Sequence, residues 1–183
     1  MKSFQIQTLE SAPELSKPAL QGLQKAFGFI PNAAATMAGS PALINSFVAA
    51  FGNLQGSAFD DREKQALLLT NAVTLNCAWT VAFHSTLALK VGVANADVTA
   101  IRAGKAPADV KLAALFELAK ALIERKGHDA DREVEQLIAA GYRREQALDV
   151  IAAIAISTMA GLTATLADTP VEAMFKSQAW QAA

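Results

Sequence analysis

The 183-residue chain predicts an all-α fold. Three observations carry that prediction. Apolar residues recur at helical spacing almost throughout. Several segments end on a glycine just past their last apolar residue, where no Cβ opposes a left-handed cap. No stretch shows the strict alternation of a half-buried strand. Together they predict a bundle of about seven or eight helices, in a single domain over residues 1–183, which is long enough to enclose a genuine core.

Taken in order, residues 1–30 read as an N-terminal arm and a first helix, with "MKSFQIQT" alternating weakly as an extended arm. In "GSPALINSFVAAFGNLQG", Ser40 is the expected N-cap and Pro41 the first helical residue. "FDDREKQALLLTNAVTL" opens with acidic residues, which suit the positive end of a helix dipole. A further helix is expected just after Asn76, a good N-cap. "VANADVTAIRAG" starts at Asn95 and stops at Gly104. "APADVKLAALFELAKALIERKG" stops at Gly127 with basic residues in its last turn, and "DADREVEQLIAAG" stops at Gly141. "RREQALDVIAAIAISTMAGLTATLAD" then runs to about Asp168, and Pro170 helps to end it.

Within that last segment, residues 150–167 carry no charge over a length that meets the threshold for a spanning helix. They are mostly Ala, Ser, Thr and Gly and lack flanking belts, so they are read as a fully buried helix of a soluble protein with no membrane contact. Ala153, Ser157, Gly161 and Ala164 put a smooth stripe on that helix, which suits either intrachain packing or a subunit interface.

Composition excludes several classes. The net charge of −1, with scattered Lys and Arg, argues against nucleic-acid binding. One cysteine excludes an intrachain disulfide and a thiolate-rich zinc site. Two histidines without partner thiols argue against any metal. The N-terminus has no apolar signal core, and a reducing, cytoplasmic location is expected.

The lone cysteine and one of the histidines fall together in "TLNCAWTVAFHSTLALKVG". With a helix starting after Asn76, Cys77 occupies the first turn, where the dipole favours the thiolate and its reactivity. Positions 77, 80 and 84 then share a face, and Thr80 and His84 are i,i+4 neighbours that could touch. Cys77 and His84 are separated by about 10 Å of helix rise, so Thr80, a water or a substrate must bridge them. On spacing alone, Cys77 also reads as a small buried hydrophobe and His84 as a packed, hydrogen-bonded residue.

"NCAWTVAFH" resembles the signature of the carboxymuconolactone decarboxylase and AhpD-like alkylhydroperoxidase family, Cys-x-x-Cys-x-x-x-His at a helix start with a Glu twelve residues upstream of the first Cys. "GFIPNAAATMAGSPALINSF", "HSTLALKVGVANADVTAIRAG" and "AAGYRREQALDVIAAIAISTMAGLTATLADTPVEAMF" resemble its lead-in, middle and C-terminal helix. The resemblance is tight over the motif core, residues 59–104, and loose over 28–175. Cys77 and His84 take the places of the family's first Cys and His, Thr80 stands at the second Cys, and Gln65 at the Glu.

The resemblance implies an AhpD-like bundle and a homo-oligomer, a trimer or hexamer, with the motif near a subunit contact. It implies an oxidoreductase of peroxiredoxin or alkylhydroperoxidase type. Lacking the second cysteine, the chain would reduce peroxides through Cys77 alone and recycle with an external thiol, without a cofactor. His84 would help to protonate the leaving alkoxide through Thr80 or a water, and Gln65 would orient that bridge. The alternatives are a lyase acting on a small organic acid, with Arg62 and Arg102 as candidate carboxylate ligands, and a non-catalytic oligomeric descendant.

Overall fold

The computed structural model describes residues 4–181, and among them every regular element is helical. Residues 4–8 run without regular structure beside the second helix, where the Gln7 amide donates to Ala35 O at 3.1 Å. Residues 1–3 of "MKSFQIQT" lie outside the described residues.

After a 3₁₀ turn at Glu14–Ser16, the helices are α1 (Lys17–Phe27), α2 (Asn32–Met37), α3 (Pro41–Gln55), α4 (Asp61–Thr74) and α5 (Ala78–Lys90). They continue with α6 (Asn95–Arg102), α7 (Val110–Glu124), α8 (Asp131–Ala139) and α9 (Gln146–Leu166), and a second 3₁₀ segment covers Ala173–Gln178. The six-residue α2 is too short to show a period in sequence.

The caps follow local chemistry. Ser40 Oγ accepts from the Leu43 amide at 3.3 Å and Pro41 opens α3. Asp60 and Glu63 form a reciprocal capping box at the start of α4. Gly104, Gly127 and Gly141 all adopt positive φ (68°, 83° and 95°), as their places after the last apolar residues require. The structure departs from expectation at α7, which ends at Glu124, so that Arg125 and Lys126 follow the helix instead of forming its last turn.

α4 lies at the centre, packed on α5, α6, α7 and α9. Its consecutive Leu67, Leu68 and Leu69 are all buried, as expected of a helix surrounded on every side. Each such leucine stabilises the fold by roughly 1.5–3 kcal/mol. The second 3₁₀ segment folds back along α5. Phe175 from it meets Phe83 at 5.1 Å and Phe29 at 5.9 Å.

α9 is long and apolar enough to cross a membrane by length and composition, but one side of it packs into the core against α2, α3, α4, α5 and α7. The expectation of full burial is corrected: only 39% of its apolar window is buried. The buried side carries Val150, Ala153, Ile156, Ser157, Ala160, Gly161 and Ala164. Leu148, Ile151, Leu162 and Leu166, on the other side, are exposed. The small-residue stripe therefore serves intrachain packing, and the large apolar residues face outward.

Candidate active site

The turn between α4 and α5 positions the thiol. Asn76 takes a left-handed conformation (φ 54°), which Asn tolerates better than most residues. The chain thereby reverses within three residues, and the Cys77 amide donates to Ala72 O at 3.1 Å. Asn76 is thus the turn residue and not the N-cap. Cys77, in extended backbone conformation, is the N-cap, and α5 begins at Ala78.

The Cys77 side chain is 2% exposed and makes no capping hydrogen bond. It faces α9, where a Cβ built on Gly161 would lie 3.5 Å from Cys77 Cβ and 4.0 Å from its Sγ.

Thr80 is buried, and its hydroxyl donates to Cys77 O at 3.0 Å. This corrects the expected bridge: the hydroxyl tightens the first turn of α5 and is spent on the backbone. His84 finds its partner elsewhere, with Nδ1 3.0 Å from Gln65 Oε1. An amide oxygen only accepts, so Nδ1 carries the ring proton and Nε2 presents a lone pair. Gln65 therefore orients the imidazole and not Thr80. Burial lowers the His84 pKa from 6.5 to about 3, so the ring is neutral at physiological pH and holds no spare proton to donate.

His84 lines a cavity of about 40 Å³. Its inner wall includes Met37, Leu68, Trp79, Phe83 and Ile156, and half-buried Phe27, Phe47 and Phe51 close it on the solvent side. Trp79 stacks on Phe83, with centroids 5.0 Å apart, and Phe83 meets the His84 ring edge-on at 5.1 Å. Cys77 is absent from the cavity wall but belongs to the same apolar cluster as Met37, Trp79, Phe83 and Ala160. The structure thus brings Gln65 to His84 and Thr80 to Cys77, as two separate pairs along α5.

Three further polar residues frame this site: Glu172 and Asn71, which the sequence did not single out, and Ser157, which it marked only as a small residue of the α9 stripe. Glu172 accepts from Trp79 Nε1 at 2.9 Å and from the Asn32 amide at 2.7 Å, tying the C-terminal segment to the cavity wall and to the start of α2. Ser157 lines the cavity and accepts from Asn71 Nδ2 at 3.2 Å, while Asn71 Oδ1 is buried without a partner. The only sequence signal was that a buried indole N–H needs an acceptor.

The two arginines considered for a carboxylate are engaged elsewhere. Arg62 pairs with Asp109 at 3.3 Å. Arg102 holds Ser85 Oγ, Gln178 O and Ala179 O at 2.8–3.0 Å. Among the described residues, no group of three or more His, Cys, Asp and Glu converges as a metal site would require.

No family model matches the sequence, and no curated protein matches it. Solved structures do match in shape. An uncharacterized peroxidase-related protein from Ralstonia eutropha JMP134, described as an alkylhydroperoxidase AhpD core, superposes with a TM-score of 0.81 at 17% identity, over 94% of this chain and 93% of that one. A peroxidase-related protein from Silicibacter sp. TM1040 gives 0.75 at 15% identity, over 96% and 95%. A cysteine-to-alanine variant of the debrominase Bmp8, in complex with 2,3,4-tribromopyrrole, gives 0.70 at 19% identity, over 97% and 96%. At these identities the likeness shows the fold. The chain adopts the AhpD-like helical fold expected from its "NCAWTVAFH" motif.

Proposed function

We propose that the protein is a single-thiol oxidoreductase that reduces small organic hydroperoxides. One observation carries the reading: α5 holds a thiol at its N-cap and a neutral imidazole two turns on, the thiol inside the apolar cluster and the imidazole on the wall of the cavity that residues of this cluster line. The Cys77 thiolate attacks the terminal oxygen of R–O–O–H, the S–O bond forms and the O–O bond breaks. Cys77 becomes a sulfenic acid, and the alkoxide takes up the proton that the thiol released. His84 Nε2, as an acceptor, orients the hydroperoxide O–H; this replaces the expected role of proton donor. One external thiol then displaces water to give a mixed disulfide, and a second releases Cys77 and leaves as the external disulfide. No cofactor enters this cycle.

The lyase reading loses support, because no cationic side chain lines the cavity. A second reading, a non-catalytic ligand-binding descendant, is favoured by the deep burial of the thiol. The debrominase among the similar structures is a reminder that one fold serves several chemistries. Consumption of tert-butyl hydroperoxide with dithiothreitol as reductant tests the choice. The proposal expects turnover that disappears in Cys77→Ala and falls in His84→Ala; turnover that is absent in the wild type, or unchanged in Cys77→Ala, overturns it.

We also propose a single-domain, soluble, cytoplasmic homo-oligomer. The outward side of α9, with Leu148, Ile151, Leu162 and Leu166 exposed on a helix about 30 Å long, supports docking of further copies of the chain. The trimer or hexamer implied by the motif's resemblance is the expected state.

A further inference from the structure

The cavity carries information that the thiol chemistry does not use. Its wall is apolar except at three groups. The Trp79 N–H is committed to Glu172 Oε2. Ser157 Oγ accepts from Asn71 Nδ2, which leaves its own O–H as the one donor on the wall. His84 has spent its Nδ1 proton on Gln65 and turns to the cavity as a ring whose remaining nitrogen only accepts. No Asp, Glu, Lys or Arg side chain lines the space, so an anion placed there would lose its hydration without gaining a counter-charge.

Size narrows the choice further. At about 40 Å³ the cavity holds roughly three waters, well below the ~150 Å³ of an apolar cavity that admits benzene. Besides His84, Phe27, Phe47 and Phe51 are the half-buried members of its lining, with Phe51 6.0 Å from each of the other two phenyl rings. Their partial exposure places these three rings on the solvent side of the cavity.

We propose that this cavity binds a small uncharged molecule with an apolar body of a few carbons and one O–H or N–H donor, accepted by His84 and admitted past Phe27, Phe47 and Phe51. The inference rests on the reading of this cavity as the substrate site, and is independent of the thiol step. A short-chain alkyl hydroperoxide is one member of the class, and carboxylates are excluded from it.

Three probes of matched size test it. 1-Butanol and diethyl ether are isomers, one with a donor and one without, and butyrate adds a negative charge. Binding is read from the ¹⁵N shift of His84 Nε2 in wild type and in Cys77→Ala, with the signal assigned through His84→Ala. 1-Butanol is expected to bind about fivefold more tightly than diethyl ether, the ratio set by one net hydrogen bond. Butyrate is expected to bind more than about tenfold more weakly than 1-butanol.

The same order is expected in Cys77→Ala. In His84→Ala, with Trp79 fluorescence as the readout, the ratio of the isomers should fall to about one. Equal binding of the isomers to the wild type, a preference for butyrate, or no binding by any probe overturns the proposal. Donor-selective binding without hydroperoxide turnover leaves it standing and removes the thiol reading. Turnover without donor selectivity does the reverse.

Discussion

At the scale of single residues, the site is defined by what Gln65 does to His84. A neutral amide 3.0 Å from Nδ1 fixes the tautomer but gives no counter-charge, so burial governs and the imidazole stays neutral. Gln65→Glu would place a carboxylate at that position. Its His84 should then titrate in the neutral range, whereas the wild-type ring should show no NMR titration between pH 5 and 8. The wild-type shift also sets a stability trend. The folded pKa of about 3 lies below the unfolded 6.5, so between those values the unfolded chain binds more protons. Stability should therefore fall as pH drops below about 6.5, by at most ~1.4 kcal/mol per unit. Denaturant midpoints that are flat from pH 7 to 4 would contradict this. The sequence named Gln65 and His84 but assigned Gln65 the wrong partner, because i,i+4 spacing favoured Thr80 and the contact between α4 and α5 was invisible to it. Ser157 appeared only as a small residue in a stripe, since its bond to Asn71 joins positions 86 residues apart.

At the scale of elements, α9 and the C-terminal segment hold the site in place. Gly161 sits opposite Cys77 at a separation that a Cβ fills as an ordinary contact. Gly161→Ala should therefore stabilise the protein by ~0.5–1 kcal/mol in denaturant unfolding, since it adds helix propensity without a clash. A loss of stability would show that the turn around Cys77 has no room. Glu172 joins Trp79 to the N-terminus of α2, so Glu172→Ala leaves a buried indole N–H and a helix-end amide without acceptors. A cost of ~1–3 kcal/mol and a shift in Trp79 emission are expected. The helix boundaries were largely readable, because capping residues and left-handed glycines act within a few positions. The start of α5 was displaced by one residue because Asn serves both N-caps and left-handed turns.

At the scale of the whole molecule, the core and the outward face of α9 account for the same apolar segment in two ways. Composition alone suggested uniform burial. Packing instead divides the helix into a small-residue side against α4 and α5 and a side with large exposed residues such as Leu166, which is 75% exposed. Light scattering should report an assembly larger than one chain. The double substitution Ile151→Asp and Leu162→Asp should shift it to monomer without loss of helical circular dichroism. A wild-type monomer at high concentration would remove the oligomer.

The central claim is that Cys77, buried at the head of α5, reacts with a hydroperoxide. Its most direct test is intact mass after exposure to tert-butyl hydroperoxide with a sulfenic-acid trapping reagent, in wild type and Cys77→Ala. The account predicts one trapped adduct per chain, located at Cys77 and absent from the variant. A wild-type chain that emerges unmodified while still folded would contradict it.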